Sequence, residues 1–201
     1  SNSTVSKKSY GVDVASYQST SVSYSGAKFA FVKLTEGTEY TNPKAEAQIK
    51  SAKANGLMVM GYFYANHSAS VSRARSEAKF AVAKAKAYGI PAGSYLADDW
   101  EQGSGNSVNG NTSANTDAVL AAMQVIKEAG YKPLIYSGAY NLRNRLSISR
   151  IVKSFGTCLW VASYKVSGRQ DYADFNYFPS MDGVAIWQFT DNYKGYNVDG
   201  N

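Results

Sequence analysis

The chain has 201 residues, 44% hydrophobic and 18% charged, which excludes a disordered chain and suffices for one sizeable core. Its formal net charge of +6 is spread along helical stretches, suiting either solvated helix faces or attraction to a polyanion such as an anionic cell wall. No apolar run approaches the roughly 18 residues that span a membrane, so membrane insertion is not expected.

In chain order, residues 1–8 read as a flexible lead or linker remnant and residues 9–201 as one domain. Two strands come first, YGVDVAS (10–16) and FAFVKLT (29–35), with no clear helix between them. A helix follows in TNPKAEAQIKSAKANG, with Asn42 as N-cap, Pro43 at the first helical position and Gly56 past the end. Strand LMVMGYFYA (57–65) leads to a Ser-capped helix ending at Gly89. Strand SYLADDW (94–100) leads to a helix ending at Gly130, and strand PLIYS (133–137) to a single helix over 139–156. Strands CLWVAS (158–163), VAIWQF (184–189) and the short YNVDG (196–200) then come without helices. The lone Cys158 excludes an internal disulfide and reads as a small core residue.

Most of these strands are apolar on both faces, as parallel strands covered on both sides are. Eight of them alternating with helices predict an α/β fold, a single irregular TIM-like barrel whose last part is poor in helices. Functional side chains of such a barrel gather at the carboxyl ends of the strands. Asp98, Asp99 and Glu101 stand at the end of the fourth strand. Side chains two apart share a face, roughly 6.5 Å apart along the chain. Asp99 and Glu101 therefore project together, and Asp98 and Trp100 the other way. Carboxyls this close push their pKa values apart, and one protonated beside one ionised carboxyl is the equipment of glycoside hydrolysis. Other strand ends add Asp13, Glu36, Tyr62, Tyr64, Tyr136, Trp187, Gln188 and Asp199. Tyr62, Tyr64, Tyr136 and Trp187 are the candidates for stacking on sugar rings.

The segments YGVDVASYQ, FAFVKLTEGTEYTNP, MGYFYA, Asp99-Trp100-Glu101, PLIYSGAY, LWVASY, VAIWQFT and VDGN occur in this order over residues 9–201. Together they resemble the lysozymes of glycoside hydrolase family 25, which are N-acetylmuramidases. The resemblance implies a (β/α)5β3 barrel and cleavage of the β-1,4 bond between N-acetylmuramic acid and N-acetylglucosamine. It implies Glu101 as general acid with Asp99 as its partner, and Asp13 and Asp199 lining the same site. Peptidoglycan glycan strands are then the partner, with no metal, cofactor or nucleic acid, and a monomer is expected. The place of action would be secreted or wall-associated, or that of a phage product released at lysis. Where the family usually reads Leu-Asp-x-Glu, Asp98 stands before Asp99, either as a surface residue or on a bulge. Many relatives carry His where this chain has Phe63, and His67 reads as a loop residue.

Two other readings compete. A chitinase-type barrel also ends its fourth strand in D-x-E, but its longer motif needs Asp at positions held here by Ser94 and Ala97. A non-catalytic wall-binding module has no need to hold a carboxylate pair at a cost in stability. The usual phosphate-binding glycine loops are missing, which argues against a nucleotide enzyme. For the face opposite Glu101, two retaining routes stay open. Either Asp99 attacks directly, or the substrate's own acetamido oxygen attacks while Asp99 steadies the charge.

Overall fold

A computed structural model describes residues 8–201. The chain runs β1 (Tyr10–Val14), β2 (Ala27–Glu36), β3 (Tyr40–Thr41), α1 (Ala45–Ala54), β4 (Met58–Tyr64), α2 (Val71–Ala87), β5 (Tyr95–Asp99) and α3 (Thr112–Glu128). It continues through β6 (Lys132–Gly138), α4 (Ala139–Asn144), α5 (Ile148–Phe155), β7 (Leu159–Ala162), β8 (Arg169–Gln170), β9 (Val184–Gln188), β10 (Asn192–Tyr193) and β11 (Asp199–Gly200). All eight expected strands are present. The main sheet has the order β11-β1-β2-β4-β5-β6-β7-β9. Along this order every pairing from β1 to β9 is parallel, β11 joins β1 antiparallel, and β3 pairs antiparallel with the end of β2 off the row. Just beyond β9, the Phe189 N–H donates to the Gly200 carbonyl and the Gly200 N–H to the Thr190 carbonyl, both at 3.0 Å. That contact closes a TIM-like barrel.

Residues 15–26, between β1 and β2, hold turns and no helix, as expected, so among the described residues five α-helices occupy four connections. The helices depart from expectation in two places. The helix expected over 139–156 is two helices, because the Ser147 side chain accepts from the Arg150 N–H and starts α5 afresh. Asn42 is not the cap of α1, which begins at Ala45. Its Oδ1 accepts instead from the Lys44 N–H at 3.0 Å, and its Nδ2 ties to the Lys33 carbonyl and to Gln48. The other starts follow the capping rule: Ser70 accepts from the Arg73 N–H and Asn111 from the Ala114 N–H.

Strand alternation sorts the core into two layers. Outward residues such as Val32, Val59, Leu96, Ile135 and Val161 meet α1 to α3 through Ile49, Ala78, Val82, Met123 and Ile126. Inward residues fill the barrel: Phe31, Met60, Tyr62, Ala97, Leu134, Tyr136 and Trp160. Trp160 stands at the centre, its ring 4.1 Å from that of Phe31 and edge-on to Tyr136 at 4.6 Å. Cys158 is buried in the outer layer, where burial pushes its thiol up to about 12. Of the lead expected at 1–8, residues 1–7 lie outside the described residues, while Lys8 places its ammonium 4.6 Å from the Phe175 ring centre. Among the described residues no helix is long and apolar enough to cross a membrane.

Candidate active site

Above Trp160 the inward positions turn polar. This happens at the carboxyl ends of the parallel strands, where no further strand residues cover them. The polar ring opens into a cleft of about 780 Å³. Asp13, Asp99, Glu101 and Asp199 all line it, as do Glu36, Tyr62, Tyr64 and Tyr136. Eight of the ten residues singled out from the sequence are therefore brought together.

The remaining two are not in the cleft wall. Trp187 and Gln188 are consecutive on β9, so they point to opposite faces. Trp187 faces outward, donates its Nε1–H to the Ser163 carbonyl at 2.8 Å and packs edge-on against Phe175 and Phe178. Its expected role in sugar stacking is thereby corrected. Gln188 faces inward but lies beneath the surface, 2% exposed. Its Oε1 accepts from the phenols of Tyr136 (2.6 Å) and Tyr164 (2.5 Å), and its Nε2 donates to Asp13 Oδ2 at 2.8 Å. Asp13 Oδ2 also accepts from Asn201 Nδ2 at 3.0 Å, and Trp160 donates to Asn201 Oδ1 at 2.8 Å. A continuous chain of hydrogen bonds thus fixes Asp13 from below.

The cleft also contains residues that strand-end reasoning did not select, among them Tyr17, Lys33, Asn66, Trp160, Asp191 and Asn197. Lys33 and Glu36 are ion-paired within the cleft wall. They share a face despite odd spacing because β2 slips register against β4 between Lys33 and Thr35. Tyr17, on the turn after β1, is 93% exposed at the rim.

Two of the acids, Asp99 and Asp199, are held above the usual carboxylate range. Asp99, 6% exposed, has its carboxyl held well above the usual range. Burial is the main cause, then the charge of Glu101, a hydrogen bond with Glu101, and the charges of Asp13 and Asp98. Asp199 is pushed up to about 10, first by burial, then by the charge of Asp13 and a hydrogen bond with it, then by Asp191. Burial also pushes the phenols of Tyr62 and Tyr136 upward, assisted by the same carboxylates. They stay neutral hydrogen-bond donors at any physiological pH.

The Asp199 shift has a measurable sign. A carboxyl raised from 3.8 to about 10 leaves the fold at its most stable, with respect to this group, below pH 3.8, and that stability is lost as pH rises toward 10. Asp199→Asn removes the titration. It raises stability by about 1–2 kcal/mol at neutral pH and leaves it unchanged at acid pH, the usual bargain at a strained site. Thermal unfolding of both chains across pH measures this, and a neutral-pH loss of stability would contradict it.

The expectation for Asp98 changes. Asp98 is neither at the surface nor on a bulge: it is fully buried in the outer layer, in even register with Phe63 and Ile135. His67 lies in the loop after β4 as expected, but it too is fully buried, with Nε2 2.8 Å from Asp98 Oδ2.

The family model described as glycosyl hydrolases family 25 matches residues 12–198. A lysozyme of Lactococcus phage mv1 is 42% identical over 179 residues, covering 88% of this chain and 89% of the relative. A lysozyme of Streptococcus phage Cp-9 is 32% identical over 199 residues, covering 96% of this chain and 54% of the relative, so the chain spans about half that protein's length. The wild-type modular Cpl-1 endolysin, solved in complex with a peptidoglycan analogue, superposes with a TM-score of 0.80 at 32% identity, over 97% of this chain and 54% of that one. The barrel, its ring of strand-end carboxyls and these matches place the chain in family 25 of the glycoside hydrolases.

Proposed function

We propose that this glycoside hydrolase is a lysozyme that cleaves the β-1,4 bond between N-acetylmuramic acid and N-acetylglucosamine in bacterial peptidoglycan, with retention. The observation that carries the reading is the placement of buried Asp99 and partly exposed Glu101 side by side in the wall of one open cleft, with the Asp99 carboxyl held well above the usual range by burial and by the Glu101 charge. Glu101 is the more exposed member and faces the incoming glycan. It gives its proton to the glycosidic oxygen as positive charge develops at the anomeric carbon. Asp99, left as the anion beneath, stabilises that charge.

Asp99 and Glu101 stand two residues apart and line the same cleft, which bears on the second step. Retaining enzymes with a carboxylate nucleophile hold their acids about 5–5.5 Å apart, one on each side of the sugar. Neighbours two residues apart on one face sit on one side of the sugar. This favours attack by the substrate's acetamido oxygen, which leaves an oxazolinium ion. Glu101, now ionised, takes a proton from water, and the water opens the ring from the original face. The β configuration returns, and no step calls for a metal or a cofactor.

Tyr62, Tyr64 and Tyr136 supply aromatic faces and neutral hydroxyls to the sugars, with Tyr17 at the rim. Gln188, Asp13 and Asp199 hold the floor. The site of action is the bacterial wall, met by the enzyme as a monomer outside the cytoplasm or on release at lysis. Digestion of purified peptidoglycan tests the reading, with borohydride labelling of new reducing ends and early NMR of the anomeric proton. Labelled muramitol, with the β anomer first, is the expected result. Labelled glucosaminitol would make the chain a glucosaminidase, and an α anomer first would exclude both retaining routes.

A further inference from the structure

The fully buried His67–Asp98 pair takes no part in the chemistry just described, yet it lies directly behind the acid. Glu101 follows the end of β5 and has no sheet ladder of its own to hold it. Its carbonyl is held by one side chain, Asn106, whose Nδ2 donates to it at 2.9 Å. Asn106 is in turn fixed by Ser68, whose N–H donates to Asn106 Oδ1 at 2.8 Å. The Ser68 hydroxyl accepts from the Ser107 N–H at 2.9 Å, so Ser68 grips the loop after Glu101 at two points.

Ser68 cannot take this pose without support. Its φ is 48°, in the left-handed region, which costs a non-glycine residue roughly 1–2 kcal/mol. The support is at its carbonyl, which accepts from His67 Nδ1 at 3.0 Å and from Trp100 Nε1 at 3.2 Å. A carbonyl oxygen only accepts, so Nδ1 must carry a hydrogen. The opposite nitrogen, Nε2, then shares one proton with Asp98 Oδ2 across 2.8 Å. The pair is neutral as a unit, which is what allows both members to be fully buried. Asp98 Oδ1 has no partner among the described residues, so a bare carboxylate facing an unprotonated Nε2 would be costly. Among the described residues the other charged group acting on the imidazole is Glu77 of α2, which accepts from the Asn66 N–H at 2.7 Å and has Arg73 beside it at 4.0 Å.

We infer that His67, Asp98, Ser68 and Asn106 form a positioning unit that sets where the Glu101 carboxyl stands over Asp99. The proton between His67 and Asp98 fixes the imidazole, the imidazole fixes the left-handed turn at Ser68, and the turn aims Asn106 at the Glu101 backbone. The inference rests on Glu101 being the acid, and none of the four residues touches the reacting atoms.

Three variants and one spectrum test it. Asn106→Ala removes the last link at a loop position. It lowers kcat on solubilised glycan strands by about 10-fold with KM within about twofold, because a small misplacement costs rate more than binding. Asp98→Leu removes the first link and loses kcat similarly. Asp98→Asn restores one hydrogen between the same two atoms, its amide donating to Nε2, and keeps kcat within about threefold of the parent. His67 is the chain's single histidine, so its two ring nitrogens give an unambiguous 15N spectrum. Nδ1 is protonated in the parent and in Asp98→Asn at every pH at which the fold persists. The inference is overturned by an unprotonated Nδ1, by parental kcat in Asn106→Ala, or by Asp98→Asn falling as far as Asp98→Leu. If Asp98→Leu does not fold, Asn106→Ala and the spectrum still decide. A Glu101→Gln chain run alongside separates the two claims: its loss of activity beside an unaffected Asn106→Ala overturns only the positioning unit, whereas its retention of activity removes the acid assignment itself.

Discussion

Glu101→Gln lowers the rate of glycan cleavage by at least about 10²-fold, the usual scale of a lost general acid. The substitution keeps the length and planarity of the side chain and removes only the proton that the leaving oxygen needs. Glu101 is partly exposed and lies outside the sheet ladder, so stability changes little. One shift accompanies the loss. The Glu101 charge and its hydrogen bond help hold the Asp99 carboxyl high, so Asp99 titrates lower in the variant, although burial keeps it above an exposed aspartate. Wall clearing and co-sedimentation with walls, measured on the same sample, give the decisive contrast. Clearing stops and sedimentation persists. A parent chain that sediments with walls but never clears them would be a binding module, and a variant that keeps most of the parent rate would remove Glu101 from the mechanism.

Trp160→Ala destabilises the fold by about 3–5 kcal/mol, the range for emptying a large aromatic from a core. Trp160 is 1% exposed and fills the barrel axis between Phe31, Tyr62 and Tyr136. Its neighbours are rigid aromatics on three other strands, so the site cannot collapse to fill the gap. The variant also frees Asn201 Oδ1 from its indole donor and so loosens the hydrogen bonds that reach Asp13. Trp160→Phe keeps most of the volume and costs less, isolating the lost hydrogen bond. Denaturant unfolding checks both, and a loss under about 1 kcal/mol for the alanine chain would show that the barrel axis is not the well-packed core described here.

The parts of this molecule legible in its sequence are those set by local rules. Buried parallel strands announced themselves as apolar runs, and the glycines at 56, 89, 130 and 156 marked helix ends, each adopting positive φ. The same-face placement of Asp99 and Glu101 followed from strand alternation alone. The same alternation contains the error at β9: Trp187 and Gln188 are neighbours, so only one of them faces inward. Phase decided against the tryptophan, and the indole that does reach the cleft is Trp160. Lys33 beside Glu36 was hidden for the opposite reason, since a register slip in β2 breaks alternation where it matters. The break between α4 and α5 hung on one serine among several. Nothing local joins His67 to Asp98, 31 residues apart, because the meeting depends on how α2 and its leading turn fold back over β5.

The two-residue strand β11 has a consequence for solubility. A row of parallel strands from β1 to β9 ends in two open edges, each a template on which another chain can add a strand. Gly200 meets both edges at once, paired with Val12 on β1 and bridged to Thr190 just after β9. A Cβ there would stand 2.8 Å from Tyr193 Cβ and 2.9 Å from Thr190 Cγ2, so a bulkier residue would push the edges apart. One glycine therefore seals the seam, and a side chain placed on it would turn a closed cylinder into a sheet with two adhesive margins, prone to self-association before any loss of secondary structure.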